Sequence, residues 1–257
     1  MDAREAMAGA RRVTVLTGAG VSTESGIPDF RGPEGPRTSL GREFAVADYL
    51  TDAAVRRVVW RARLRHPMWT AEPNAAHFAL VDLQRAGRVR ALLTQNVDGL
   101  HQRAGSSPVV ELHGSLAGTV CADCGAPGAM SAALDRVRAG EDDPACPVCG
   151  GVLCATTVAF GQELDPGVVR SARSAAVDCD LMLVAGTSLL VEPAAGLVGL
   201  AARAGAAVVI CNREPTPYDG VATAVVRGPV GESLPELVAV PVVASGPVRT
   251  WGDPSTW

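Results

Sequence analysis

The sequence predicts an α/β protein: a doubly wound, parallel, Rossmann-type sheet that carries a smaller lobe. The first observation is a series of short apolar runs, several of them continuous, as strands buried on both faces should be. The second is that segments with helical character lie between these runs. The third is that residues 38–73 and 118–163 break this alternation, which indicates a lobe made of a helical module and a zinc-ribbon module.

Six apolar runs are predicted strands, and three intervening segments are predicted helices. The strands are residues 13–16, 89–93, 109–112, 181–185, 207–211 and 224–226. The helices are residues 74–86, 166–177 and 193–204. Asn74 is a good helix start, and Gly87 and Gly205 are typical helix stops. A further helix is expected to begin just after the glycine-rich turn at residues 18–20.

The remaining residues complete the domain organisation. The large domain is expected to comprise residues 1–37, 74–117 and 164–240. Residues 241–257 are rich in proline and glycine and are predicted to be a disordered tail. The 257 residues suffice for one large domain with an insertion, which can bury a core without disulfide bonds.

Composition narrows the classes of function. Hydrophobic residues make up 47% of the chain and charged residues 19%, which is typical of a globular protein. The formal net charge of -4 excludes a broad phosphate-binding surface, so direct nucleic-acid binding is not expected. No apolar run reaches the roughly 18 residues of a membrane span, and the charged N-terminus lacks a signal-peptide pattern. A cytoplasmic location is therefore expected.

A glycine-rich loop, GAGVSTESGIPDFRG at residues 18–32, follows the first predicted strand. Glycines let a backbone approach a pyrophosphate, and a helix N-terminus adds N–H donors. Thr23 stands where the G-x-G-x-x-G pattern requires its third glycine, so a structural turn remains an alternative for this part alone. The continuation from Ser25 to Arg31 is more specific, since it places an aromatic residue, an acid and an arginine close to a bound ligand.

Polar residues also follow the other predicted strands. In an open α/β sheet, ligands bind at the carboxyl ends of the strands, so these residues should face one crevice. They are Gln95, Asn96, Asp98, His113, Gly186, Thr187, Ser188, Asn212 and Glu214. Taken singly, the segments at residues 186–188 and 211–217 are little more than turns, and a solvated turn capped by Asp98 is an alternative for the segment after Thr94. Together they suit a dinucleotide.

Histidines and cysteines indicate two further kinds of chemistry. His113 at a strand end is a candidate general base, whereas we interpret His66, His77 and His101 as structural. Two Cys-x-x-Cys pairs, separated by 21 residues, are typical of a tetrahedral zinc site; they are Cys121, Cys124, Cys146 and Cys149. Four thiolates leave no open position, so the zinc should be structural. A redox role would not explain two pairs. Buried, unreactive thiols are expected at Cys154, Cys179 and Cys211.

With these motifs in this order, the chain resembles the sirtuins, which are NAD-dependent protein-lysine deacylases. The matching segments are GAGVSTESGIPDFRG, TQNVDGLH, ELHG, the two cysteine pairs, AGTSLLVEPAAG and NREPTP. They extend over roughly residues 12–235. The resemblance implies a Rossmann-type large domain and a small lobe, with NAD and an acyl-lysine protein substrate in the cleft between them.

The resemblance also implies a role for each matching position. Gly18, Ala19 and Gly20 would hold the pyrophosphate, beside Arg31 and Gln95. Asn96 and Asp98 would hold the nicotinamide end beside Ile27, with Phe30 covering the reactive sugar carbon. The adenosine half would contact Ser188, Asn212 and Glu214. The remaining NAD-binding positions are Asp29, Gly186, Thr187 and Arg213.

The implied reaction is deacylation. The acyl-lysine oxygen attacks the nicotinamide ribose, His113 deprotonates a ribose hydroxyl, and water completes release of free lysine and O-acyl-ADP-ribose. Asn96 is the second catalytic residue. NAD is consumed, which accounts for the absence of the usual ribose-binding acid about 20 residues after the glycine loop.

The chain departs from the family pattern at two places. Residues 155–162 read ATTVAFGQ where members commonly read PDVVWFGE. Val158, Phe160 and Gly161 match, so this backbone is expected to pair with the substrate peptide as an added strand. Ala159 replaces an aromatic residue and Gln162 replaces an acid, so the substrate contacts at these two positions stay open.

The second departure concerns acyl preference. Desuccinylating members share a Tyr-x-x-Arg pair in the helical module, and the nearest match here is Trp60-x-x-Arg63. We interpret that segment as a core-facing or solvated helix, so neutral acyl groups are favoured.

Several other functions fit parts of the pattern. Mono-ADP-ribosyl transfer to protein and NAD hydrolysis would use the same site, and only their products differ. A non-catalytic NAD-sensing module is disfavoured by the presence of Asn96, Asp98 and His113. A redox dehydrogenase would need the strict glycine pattern. A zinc-ribbon nucleic-acid binder would need basic flanks, whereas Glu141, Asp142 and Asp143 precede the second cysteine pair.

Overall fold

The structure, a computed structural model, describes residues 1–29, 32, 46–159 and 161–239. Its strands are β1 Val13–Thr17, β2 Val89–Thr94, β3 Val110–Glu111, β4 Gly114–Cys121, β5 Pro127–Ala129, β6 Leu153–Thr157, β7 Leu181–Ala185, β8 Ala207–Cys211 and β9 Ala224–Val226. Its α-helices are α1 Ala3–Gly9, α2 Val46–Thr51, α3 Ala53–Leu64, α4 Ala75–Arg85, α5 Leu100–Ala104, α6 Met130–Arg138, α7 Pro166–Val177, α8 Gly196–Arg203 and α9 Val230–Val238.

The larger sheet is parallel and doubly wound, as predicted. Its strand order is β3-β2-β1-β7-β8-β9. From β1 the chain builds the sheet outward through β2 and β3, and from β7 it builds outward in the other direction. The order therefore reverses between β1 and β7, whose residues pair from Val13 with Leu181 to Thr17 with Ala185. Open α/β sheets bind ligands at such a switch point.

Helices cover both faces of this sheet, which explains why its strands are continuous apolar runs. Val15, Leu183 and Val209 pack on one face with α1, α4 and α9. Leu16 and Met182 point to the opposite face, where α7 and α8 pack. Since both faces are covered, every residue of β1 and β7 is buried.

Capping residues set several helix starts. The Asn74 side chain accepts the N–H of Ala76, which confirms the predicted start of α4. Asp165, which precedes α7, accepts the N–H groups of Gly167 and Val168 in its first turn, and the bounds of α7 match the prediction. The prediction for α8 is wrong by three residues: the helix begins at Gly196, where the Glu192 carboxylate accepts the Gly196 N–H.

Two other sequence predictions are corrected. The segment after residues 18–20 does not form an α-helix; it forms two short 3-10 turns, Ala19–Val21 and Thr23–Ser25. The third strand is shorter than predicted because the chain turns into the second sheet at Gly114, which has a φ of +71°. Leu112 still donates its N–H to the Thr94 carbonyl.

The small lobe has its own antiparallel sheet, in the order β5-β4-β6. Its core contains side chains of α3 and α6, among them Trp60, Met130 and Leu134, together with Cys121 and Cys146. Cys179 and Cys211 are buried as predicted, but Cys154 is half-buried because β6 is an edge strand of this small sheet.

Hydrogen bonds and ion pairs join α2 and α3 to the part of the lobe that contains the cysteines. Arg56 Nε contacts both carboxylate oxygens of Asp143, at 3.0 and 2.9 Å. Tyr49 donates its hydroxyl to the Leu153 carbonyl at 2.6 Å. Arg61 makes a more exposed pair with Asp142. The acidic loop, residues 141–143, is thus a partner of the arginine-rich helix α3.

Some predictions fall outside these findings. The predicted tail at residues 241–257 lies outside the described residues, and the domain boundaries stay a prediction. Within the described ranges, no helix is both long and apolar enough to cross a membrane.

Candidate functional site

The loops that follow β1 and β7 pack tightly against each other at the switch point. Gly20 donates its N–H to the Gly186 carbonyl at 2.8 Å. A β-carbon on Gly20 would lie 2.9 Å from Gly186 Cα, and one on Gly18 would lie 2.7 Å from Thr187 Cβ. Gly186 has a φ of +61°, and its β-carbon would lie 2.4 Å from the Val21 nitrogen. The glycines therefore allow two distant loops to form one surface.

Gln95 extends this surface toward β2. Its backbone N–H donates to the Thr17 carbonyl at 3.0 Å, so Gln95 starts where β1 and β2 stop pairing. Its side-chain Nε2 donates to Thr187 Oγ1 at 2.9 Å. Through its backbone N–H and its side-chain amide, Gln95 thus connects the ends of three strands. This contact lies among the positions predicted to hold a pyrophosphate.

Ser22, Asn96 and Asp98 form a buried polar group that we call the Ser22 cluster. Ser22 Oγ donates to Asp98 Oδ2 at 2.7 Å and accepts from Asn96 Nδ2 at 3.1 Å. The other carboxylate oxygen of Asp98 accepts the Leu100 N–H at 2.9 Å. These bonds stabilise a carboxylate that is mostly removed from solvent. Asn96 and Asp98 were predicted from the sequence, whereas Ser22 was not, although it lies within the glycine-rich motif.

His113 lies where the two sheets meet. Its Nδ1 is 2.9 Å from the Gln95 carbonyl, and a carbonyl can only accept a hydrogen bond. Nδ1 therefore carries a proton, and in the neutral imidazole the lone pair is on Nε2. The backbone carbonyl of His113 accepts the Val158 N–H at 2.9 Å, which joins the backbone at His113 to the segment predicted to bind a peptide. This arrangement suits a general base next to a peptide substrate.

The segment after β8 is held in shape by Arg227, which was not among the predicted site residues. Arg227 Nη1 donates to the carbonyls of Asn212 and Glu214, at 3.0 and 2.9 Å, and its Nη2 pairs with Asp219. Asn212 Nδ2 also donates to the Glu214 carbonyl, at 2.8 Å. Arg213 and Glu214 are exposed at the strand end.

The remaining predicted positions are only partly described. Ile27 is buried with Leu100 in the small-lobe core, and Asp29 accepts the Gly32 N–H. Ser188 is half-buried in the loop after β7. Phe30, Arg31 and Phe160 lie outside the described residues.

The turn at the replaced positions is closed by the replacing side chain. Gln162 Oε1 accepts the Ala159 N–H at 2.9 Å, and the Gln162 N–H donates to the Ala159 carbonyl at 3.0 Å. Gly161 between them has a φ of +85°, which suits glycine. Glutamine supplies the acceptor oxygen that an acid would supply, so this departure preserves the turn.

The four predicted metal ligands come together in the small lobe. The sulfurs of Cys121, Cys124, Cys146 and Cys149 all lie within 4.8 Å of one another. A tetrahedral zinc with Zn–S bonds of about 2.3 Å separates its sulfurs by about 3.8 Å, so the cluster fits one zinc ion. β4 separates the cluster from His113, because the strand begins at Gly114, next to His113, and ends at Cys121, and it spans about 13 Å along β6 from Thr157 to Leu153. The cluster is therefore structural.

Arg63 packs against aromatic side chains of the small lobe. Its guanidinium lies 4.7 Å from the centre of the Trp60 ring and 5.1 Å from that of Tyr49. Its Nη1 also donates to the Tyr49 hydroxyl at 2.9 Å. Trp60 is fully buried, which agrees with a core-facing helix.

Comparisons with known proteins identify the family. The model of the Sir2 family matches residues 18–193, more than half of the chain. A protein of Streptomyces coelicolor named NAD-dependent protein deacetylase 2 is 49% identical over 237 residues, which are 90% of this chain and 98% of that protein.

Solved structures give the same result. A Sir2 complex with a p53 peptide and NAD+ has a TM-score of 0.82 at 34% identity, over 91% of this chain and 94% of its own. A Sir2 complex with deacetylated p53 peptide and 3'-O-acetyl-ADP-ribose also has a TM-score of 0.82 at 34% identity, over 93% of this chain and 97% of its own. The chain belongs to the Sir2 family, the sirtuins.

Proposed function

We propose that this protein is an NAD-dependent protein-lysine deacylase that releases nicotinamide, O-acyl-ADP-ribose and free lysine. The observation that carries the proposal is the placement of a basic imidazole nitrogen on His113 at the edge where the glycine loops and the Ser22 cluster meet. The family membership and the names of the relatives, NAD-dependent protein deacetylases and deacylases, support it.

The donor set of the crevice fits NAD. The glycines at positions 18, 20 and 186 let the loops after β1 and β7 pack together, and the backbone surface that they form at the strand ends suits a pyrophosphate. Asn96 and Asp98 offer amide and carboxylate groups for the nicotinamide end, and Asn212 and Glu214 would hold the adenosine half. When bound, NAD supplies a nicotinamide leaving group on an electrophilic ribose carbon.

His113 acts as the base. Its Nδ1–H is held by the Gln95 carbonyl, which fixes the tautomer and aims the Nε2 lone pair away from that strand end. Nε2 takes the proton of a ribose hydroxyl, so that the hydroxyl oxygen can accept the acyl group. The Val158–His113 hydrogen bond keeps the base in register with the substrate peptide.

Substrate protein is held by added-strand pairing to the segment that contains Val158, Phe160 and Gly161. Gln162 shapes this segment through its bond to Ala159. Arg63 is held against two aromatic rings, so the acyl group is neutral, such as acetyl. Four thiols grouped as metal ligands suit a reducing compartment, which supports a cytoplasmic location.

The test is mass spectrometry of NAD turnover with acetyl-, longer-chain acyl- and succinyl-lysine peptides. The chain contains no lysine, so it contributes no acyl-lysine background of its own. We expect nicotinamide and O-acyl-ADP-ribose to appear together, only with peptide, and to be lost in His113→Ala.

The other outcomes distinguish the alternatives. Nicotinamide formed without peptide would indicate NAD hydrolysis, and ADP-ribose attached to protein would indicate ADP-ribosyl transfer. NAD binding without any turnover would indicate a sensing module. Each of these results would overturn the proposal.

A further inference from the structure

A second set of buried polar side chains adjoins the Ser22 cluster and is not used by the proposed reaction. We call it the threonine–histidine relay: Thr17 at the end of β1, Thr94 at the end of β2, and His101 in α5. Each of these residues is at most 2% exposed. Burying polar groups costs free energy unless they are hydrogen-bonded, so the relay depends on its internal bonds.

The Thr17 hydroxyl joins the other two members. It donates to Thr94 Oγ1 at 2.9 Å and lies 2.9 Å from His101 Nε2. A hydroxyl has one hydrogen, so with that hydrogen on Thr94 the imidazole is the donor and its proton is on Nε2. Thr94 Oγ1 also accepts the backbone N–H of Asn96 at 3.1 Å. The relay therefore runs from α5 through two strand ends to Asn96.

These hydrogen bonds hold both ends of the loop that contains Asn96 and Asp98 of the Ser22 cluster. Residues 95–99 connect β2 to α5, so Thr94 holds the start of the loop and His101 holds its end. Both are bonded to Thr17. α5 has only five residues, too few for a helix that is stable in isolation, so its position depends on such tertiary contacts.

His77 supports the relay from α4. Its ring centre lies 4.8 Å from that of His101, and His77 is fully buried. Asn74, which caps the same helix, donates to the Val21 carbonyl at 2.8 Å and to Ser25 Oγ at 3.0 Å. The contact between the two imidazoles therefore links α5 to the helix that anchors the glycine-rich loop.

We propose that Thr17, Thr94 and His101 are positioning residues that orient Asn96 and, through Ser22, Asp98. The inference rests on the proposed function, in which Asn96 and Asp98 hold the nicotinamide end of NAD. The hydrogen bonds of the relay lead to Asn96 and from it to Ser22, so loss of the relay weakens binding of NAD more than binding of ADP-ribose, which lacks nicotinamide.

The decisive variant is Thr17→Val, which keeps the side-chain shape and removes the hydroxyl. Thr17→Ser keeps the hydroxyl and should restore wild-type behaviour. Thr14→Val is the matched control, because Thr14 lies in the same strand, is fully buried and donates its hydroxyl to the Ala175 carbonyl at 2.8 Å. Calorimetry without peptide would measure the dissociation constants of NAD and ADP-ribose, and turnover with peptide would give kcat and KM.

We expect Thr17→Val to weaken NAD binding about tenfold while ADP-ribose binding stays within about twofold. The kcat of Thr17→Val should fall as well. Thr14→Val should change neither kcat nor the ratio of the dissociation constants of NAD and ADP-ribose. Equal effects of Thr17→Val and Thr14→Val, or an unchanged ratio in Thr17→Val, would overturn the inference.

Two further arrangements keep the test decisive. If Thr17→Val does not fold, His101→Gln and His101→Leu replace it, since only glutamine retains a donor near the position of Nε2. If the wild type binds both ligands but does not deacylate peptide, the proposed function fails, and the binding ratio still decides the inference.

Discussion

His77 and His101 illustrate how single residues tie stability to pH. Burial lowers the pKa of His77 to about 4 and that of His101 to about 3, so both imidazoles are neutral in the folded protein. In the unfolded chain they titrate at an ordinary pKa of about 6.5. Between these values the unfolded state binds more protons, so stability falls as the pH drops below about 6.5.

We therefore expect each of the two histidines to remove about 2 kcal/mol from the free energy of unfolding between pH 7 and pH 5. Denaturant unfolding at both pH values would measure the loss. His77→Gln should lose about 2 kcal/mol less than the wild type over this interval, since glutamine does not titrate. An identical loss in both proteins would show that the buried imidazoles are not responsible.

The same residues mark what could be predicted from the sequence at this scale. Asn96, Asp98 and His113 were predicted because they follow strands whose carboxyl ends should face one crevice, and because they lie in segments that match sirtuin motifs. Ser22 and Arg227 were missed because their roles depend on partners that only the fold supplies. Ser22, for example, contacts Asp98 across 76 positions of sequence.

At the scale of elements, two arginines of α3 that look equivalent in the sequence form ion pairs with the acidic loop that differ in burial. The Arg56–Asp143 side chains are only 14% and 22% exposed, whereas those of Arg61–Asp142 are 57% and 51% exposed. Arg56 also donates to the carbonyls of Tyr49 and Leu50, both at 3.2 Å. Removing Arg56 leaves a poorly solvated carboxylate on Asp143 and a partly buried Tyr49 carbonyl without this donor.

We expect Arg56→Met to lower the free energy of unfolding by about 2 kcal/mol. Arg61→Met is the matched control on the same helix and should cost less than about 1 kcal/mol, as exposed ion pairs do. Methionine retains the apolar stem in both variants. Urea unfolding followed by Trp fluorescence would compare them, and equal losses would contradict the assigned importance of burial.

Elements were predictable where local signals agreed with the tertiary fold. Three strands, Leu181–Ala185, Ala207–Cys211 and Ala224–Val226, have the predicted bounds, and the first two are the buried, continuous apolar runs typical of strands covered on both faces. The turns after β1 were not predictable in detail, because the conformation of Ala19–Val21 depends on contact with Gly186. Local sequence contains no information about that distant partner.

At the scale of the whole molecule, the two sheets differ in what stabilises them. The parallel sheet is covered by helices on both faces, whereas the small sheet has three strands and the cysteine cluster. Removal of zinc should therefore unfold the small lobe and abolish activity, although zinc takes no part in the chemistry.

Hydrogen exchange after chelation would measure this effect in each lobe. Amides of β4 and β6 should lose protection, whereas those of β1, β7 and β8 should keep it. Cys149→Ser should reproduce the chelated state, and Cys179→Ser, outside the cluster, is the control. Full activity in protein verified to be free of metal would contradict the prediction.

The pairing of β1 with β7 also has a consequence for how the chain acquires its structure. Val13 pairs with Leu181, so the central pair of the large sheet closes a chain loop that contains the entire small lobe. Closing so long a loop is entropically costly, whereas β4 and β6 are much nearer each other in sequence. During synthesis, the small lobe can therefore form before β7 has left the ribosome. The crevice between the glycine loops is complete only after that late strand has docked.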